Sequence, residues 1–126
     1  MNCLENPKKS VIFVVEIETD MKYTILQLDR NNENVKRDRR MFVSWDELNK
    51  TCGFSKWCYE KVYEGEIEFD TSICRTLDNI FRKFNLFHPN DFKGHSLSTS
   101  DVVILDGVMY YCDSFGWVDV KNDKKL

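Results

Sequence analysis

The sequence has no long apolar run, no excess of positive charge, no C-x-x-C pair and no alanine. Each absence narrows the field. No apolar stretch approaches the roughly 18 residues that span a bilayer, which argues against a membrane-spanning helix. Val11–Val15 is too short for a signal-peptide core and no small-residue cleavage site follows it, so a cytoplasmic location is expected. The formal net charge is −3, so the chain as a whole presents no attractive field to a polyphosphate. Any nucleic-acid contact needs a local basic patch, and direct binding is not the expectation. The five cysteines (Cys3, Cys52, Cys58, Cys74 and Cys112) are odd in number and scattered. That pattern argues against a disulfide framework and a zinc ribbon, and for free thiols in a reducing compartment. Lack of alanine beside many Asn, Lys and Asp matches an AT-rich genome, which is an association and not physics.

What is present points to a folded domain. Apolar residues make up 42% and aromatics 13% of 126 residues, enough for one core and too little length for two. One domain is expected over residues 1–126, with 1–10 and 121–126 loose. The strongest local signal lies in the last third. Val102–Leu105 and Val108–Tyr111 are apolar runs flanking Asp106-Gly107. Asp-Gly between such runs predicts a two-residue type I′ hairpin, because both central residues need positive φ. A polar loop, Asn90–Ser100, precedes the hairpin, and Phe115-Gly116-Trp117 follows it.

Upstream, Val11–Ile17 and Tyr23–Leu28 read as strands, with Thr19–Lys22 as a turn between them. Asn31–Asn34 reads as a loop tip and Met41–Val43 as a strand. The basic run before it, Lys36, Arg37, Arg39 and Arg40, is either edge-strand protection or a nucleic-acid patch. Ser44-Trp45-Asp46-Glu47 matches a capping box and predicts a helix over Trp45–Thr51 with Gly53 as its left-handed terminator. A strand centred on Tyr59–Tyr63 runs into Glu64, Glu66, Glu68 and Asp70, which alternate with Gly65, Ile67 and Phe69. In an extended chain those four carboxylates share one face. Ile73, Leu77, Ile80, Phe81 and Phe84 fall on one helix face, with Thr76 as the expected cap and Pro89 as the stop. The class is α+β: an antiparallel sheet of about five to six strands, two helices and a C-terminal β-hairpin.

The segment Phe84-Asn85, His88-Pro89, Asp91 to Ser98, Ser100 to Val103, Tyr111 and Asp113 to Gly116 resembles the YodL-like domain family, as does Tyr23-Thr24-Ile25 with Gln27-Leu28. The resemblance covers roughly residues 22–120 and is densest in the C-terminal motif. It implies a small α+β domain carried by mobile elements of Gram-positive bacteria. Such domains occur as modules of very large plasmid or conjugative-element proteins and as short separate chains. No general catalytic activity comes with the family.

Several candidate sites compete. Gly94-His95-Ser96-Leu97-Ser98 is close to the G-x-S-x-G nucleophile elbow but lacks the last glycine and precedes a strand. A hydrolase or nuclease built on His95, Ser96 and Asp101 is therefore an alternative, against a bland reading in which these groups satisfy loop backbone. His88, Asp91 and His95 fit no standard metal-ligand spacing. No metal or cofactor is expected. The acidic column Glu64, Glu66, Glu68 and Asp70 is either a solvated strand face or a phosphate mimic aimed at a basic channel. The preferred reading is a non-enzymatic binding module that inhibits a host protein, such as a CRISPR-type nuclease or another nucleic-acid enzyme or ribonucleoprotein. Its expected contact surface is Asp91, Phe92, Lys93, His95, Ser96, Ser98 and Asp101 with Phe115 and Trp117.

Overall fold

The computed structural model describes residues 20–126. The strand expected over Val11–Ile17, and Cys3, lie outside them. Six strands form one antiparallel sheet in the order β2-β1-β3-β4-β5-β6: β1 Asp20–Leu28, β2 Tyr59–Glu68, β3 Val102–Leu105, β4 Val108–Cys112, β5 Trp117–Asp119 and β6 Lys124–Lys125. Between β1 and β2 run two short helices, α1 Glu33–Asp38 and α2 Trp45–Thr51. The 14-residue α3, Ile73–Leu86, links β2 to the polar loop.

Alternation along β1 divides the core. Tyr23 and Ile25 face α3, where Leu77, Ile80 and Phe84 pack with Val103, Leu105, Tyr110 and Trp117. Leu26 and Leu28 face the other way. There Leu48 of α2 packs with Val102, Tyr111 and Val118, and Val35 of α1 packs with Leu28 and Cys58. The sheet is thus the middle of three layers, as a sheet apolar on both sides requires. The register of β1 with β2 shifts between Ile25 and Leu26, since Ile25 pairs with Tyr63 and Leu26 with Lys61. Val62 is the extra residue of this bulge.

The hairpin forms as expected. Leu105 pairs with Val108, and Asp106 and Gly107 have φ of 51° and 84°. The N-cap half of the capping box also forms: Ser44 Oγ accepts the Glu47 N–H at 3.2 Å, and Gly53 ends the helix at φ 76°.

Four local expectations need correction. Asp20–Lys22 is not a turn but the start of β1, paired with Glu68–Glu66. Met41–Val43 is not a strand. The basic run ahead of it ends α1, because the Asn32 side chain accepts from the N–H groups of Asn34 and Val35 and starts a helix there. With no strand to protect, edge protection falls away. Ser72, not Thr76, caps α3, accepting the Arg75 N–H at 3.1 Å. Thr76 is buried one turn in, donating to the Ser72 carbonyl and accepting the Asp70 N–H. The tail read as loose pairs as β6, with Val118 opposite Lys125 and Asp119 opposite Lys124.

Candidate functional site

The loop between α3 and β3 holds the residues that the sequence singled out, and three side chains fix it. Gln27 projects from β1 into the α3 side of the sheet and is buried. Its Oε1 accepts the His95 N–H at 3.1 Å, and its Nε2 donates to the His95 carbonyl at 2.8 Å and to Asp101 Oδ2 at 3.1 Å. Asn85, near the end of α3, does the same for Leu97. Its Oδ1 accepts the N–H at 2.6 Å and its Nδ2 donates to the carbonyl at 3.2 Å. Asp101 closes the set by accepting the Ser98 N–H at 3.0 Å. A side-chain amide offers one donor and one acceptor side by side, so it pairs with an isolated backbone residue as a sheet neighbour does.

Apolar anchors finish the loop. Phe92 is buried against Phe84, with ring centroids 4.8 Å apart and planes at 72°. Gly94 sits against Gln27 Oε1 and the Phe92 ring, with no room for a Cβ. At the loop's end the Tyr59 hydroxyl donates to the Ser100 carbonyl at 2.6 Å, and Ser100 Oγ accepts the Phe42 N–H at 3.1 Å. The loop therefore ties β1, β2, α3 and the α1–α2 linker together.

The electrostatics follow from this burial. Desolvation pushes the Asp101 carboxyl up to about 6, against the lowering pull of the Ser98 N–H, His95, Gln27 and Arg30. Burial also pushes the Cys112 thiol up to about 12, so it behaves as a packed apolar group. His95 Nδ1 lies 2.8 Å from the Ser96 carbonyl, while its Nε2 is buried and meets no partner among the described residues. Ser96 is exposed, and no hydrogen bond links its hydroxyl to His95 among the described residues. The Asp101 carboxylate engages Gln27 and Ser98 rather than the imidazole. The order needed for a Ser/His/Asp relay is not assembled in this geometry.

This loop and the Gln27 that clasps it lie within the stretch matched by the family model for the YodL-like domain, residues 22–122. The chain belongs to the YodL-like domain family. No curated protein and no solved structure matches it.

Within this YodL-like domain the expected contact residues divide. Asp91, Lys93 and His95 line one wall of a polar cleft of about 730 Å³, faced by Arg30 and Lys61. Ser96 is exposed and Ser98 half-buried. Phe92, Asp101 and Trp117 are internal and do not belong to a surface. Trp117 is core: it is 2% exposed, its Nε1 donates to Asp78 at 3.0 Å, and its ring meets Phe81 edge-on. Phe115 is the opposite, 84% exposed at the tip of the β4–β5 turn. That turn is held by Lys125, whose ammonium reaches Asp113 at 2.8 Å and the Phe115 carbonyl.

The acidic column is shorter than its sequence pattern. Glu64, Glu66 and Glu68 are exposed on one face of the edge strand β2, and Lys61 pairs with Glu64 at 3.3 Å. Asp70 leaves the strand and instead accepts from Asn79 at 2.9 Å, with Arg75 at 3.8 Å. The basic run is partly spent as well. Arg37 pairs with Asp38, and Arg40 is buried, donating to the Gly53 carbonyl at 2.7 Å and to Asp38. Among the described residues, no three His, Cys, Asp or Glu side chains converge as metal ligands. Sequence reasoning passed over Gln27 as a site residue. Its sign was there: a lone amide inside the apolar run Ile25-Leu26-Gln27-Leu28 needs an internal partner.

Proposed function

We propose that this YodL-like chain is a non-enzymatic protein-binding module of a mobile element, acting as an inhibitor of a host protein. One observation carries the reading. The buried amides and carboxylate that hold the motif loop are occupied within the fold, while Phe115, on a turn tied by Lys125, stands in the open. An ordered loop whose reactive-looking side chains serve as struts is a support for a surface. An exposed aromatic on such a support is the kind of anchor that dominates binding energies. The concrete form is counter-defence, with a CRISPR-type nuclease or another nucleic-acid enzyme as target. That part rests on the genomic setting that the family implies.

A second reading has its own observation. Glu64, Glu66 and Glu68 stand in line on an edge strand, as a mimic of a phosphate backbone would require. Two variant sets separate the readings once circular dichroism shows both folded. In one, Lys93, Ser96 and Phe115 become Ala; in the other, the three glutamates become Gln. The chain should capture a stable partner from a host lysate and inhibit it when purified, and the first set should lose both effects. If the first set keeps full binding and the Gln set loses it in a salt-sensitive way, the mimic reading replaces ours. If the wild-type chain alone hydrolyses ester or nucleic-acid substrates through Ser96, the non-enzymatic reading is overturned.

A further inference from the structure

We infer that the groove beside Trp57 is a docking site for an acidic segment of a partner protein that carries an apolar anchor. The inference rests on the protein-binding reading and adds a surface that includes none of the motif-loop residues. The groove, of about 610 Å³, lies between residues 54–57 and the β4–β5 side of the sheet. Its apolar lining is Phe54, Trp57, Met109 and Val120, with the hairpin tip at Gly107-Val108 as its lower rim. Trp57 is 80% exposed. A tryptophan in that position forfeits a large apolar contact unless something covers it.

Charge identifies what would cover it. The chain carries a net charge of −3, yet among the described residues the only charged ones lining the groove are Lys56 and Lys121. Neither ammonium is in an ion pair among the described residues. Lys56 Nζ instead lies 5.1 Å from the centre of the Trp57 ring. The backbone around Trp57 is tied on both sides of the ring, since the Cys58 N–H donates to the Ser55 carbonyl at 3.2 Å, the Cys58 carbonyl accepts the Asp29 N–H at 2.9 Å, and Cys58 is buried in the core. The ring is therefore presented on a rigid base, which lowers the entropy lost on docking. A segment with a Leu or Phe for the groove and flanking Asp or Glu for the two lysines satisfies every open group.

The test uses the full chain and two synthetic peptides with the same Leu and Phe anchors, one flanked by Glu and Asp, the other by Lys. Calorimetry should show the acidic peptide binding at least about tenfold more tightly, and Trp57→Ala should weaken it by a similar factor, as loss of a central aromatic does. Lys56→Gln with Lys121→Gln should flatten its salt dependence. Equal affinity for the two peptides, or none for either, overturns the inference. So does acrylamide quenching of the full chain that is no greater than that of Trp57→Ala, since Trp45 and Trp117 also emit; this would mean the groove is already filled by residues 1–19 or by a second copy. A sedimentation shift abolished by Trp57→Ala would identify the second copy. If Trp57→Ala keeps the host partner while Phe115→Ala loses it, the groove is not used and the protein-binding reading stands. If neither change touches partner capture, the groove inference falls and Phe115 is not the anchor, while binding itself proceeds through another surface.

Discussion

At the residue scale, Gln27 does work out of proportion to its size. Four hydrogen-bonding groups meet at its amide: the His95 N–H and carbonyl, the Asp101 carboxylate and the His95 ring. Gln27→Leu keeps the volume and strands these groups in the interior. It should cost about 2–3 kcal/mol in urea unfolding, the penalty for buried groups left without partners. A loss below about 0.5 kcal/mol, the range of ordinary surface changes, would show that the loop is not held from β1. Asp101 makes a prediction about pH. Its carboxyl rises from 3.8 to about 6 on folding, first through desolvation. Between those values the folded chain holds a proton that the unfolded chain has released. This group therefore favours folding at low pH, and its contribution falls as pH rises from about 4 to about 6. Asp101→Asn should remove that slope. Denaturation midpoints at pH 4.5 and 7 should converge in the variant relative to wild type; an unchanged difference would mean that Asp101 titrates normally.

At the element scale, legibility followed the strength of the local signal. Asp106-Gly107 announced its hairpin because few dipeptides supply two positive φ values in succession. Gly107→Val should lower stability by about 1–3 kcal/mol through backbone strain alone, since a side chain there meets nothing within 4 Å. An unchanged melting temperature would contradict the turn type. The face of α3 was equally readable, and its depth can now be ranked. Phe84 is fully buried among Tyr23, Tyr63 and Phe92, whereas Phe81 is half-buried against Trp117. Phe84→Ala should cost about 3–5 kcal/mol and Phe81→Ala clearly less. The reverse order in thermal melts would mean that the helix is rotated. By contrast, α1 was hidden because it is too short to show a period. It buries only Val35, and its cap Asn32 sits in a run of Asn that reads as a loop. The two-residue β6 was hidden for the same reason: its residues are lysines, and backbone pairing and the Asp113 contact hold it rather than burial.

At the scale of the whole molecule, the class and the central hairpin were legible, but the site was only half so. Periodicity cannot say which of Phe92, Phe115 and Trp117 faces out, because that depends on which layer each strand end meets. Nor can it show that residues 54–57 fold back to expose Trp57 beside β4. Both facts depend on a strand order that brings together elements remote along the chain. That order has a consequence for synthesis. β1 lies between β2 and β3, and β3 is translated only after β2, α3 and the whole polar loop. While the ribosome is still making α3, β1 has, among the described residues, only β2 to pair with, and its β3 side is open. Such an edge is sticky until a strand closes it. Chains stopped before Val102 should therefore pellet after lysis, while chains extending through β5 and β6 should not. The ribosome's transit from Ile73 to Lys125 is thus the interval in which a growing chain depends on chaperones.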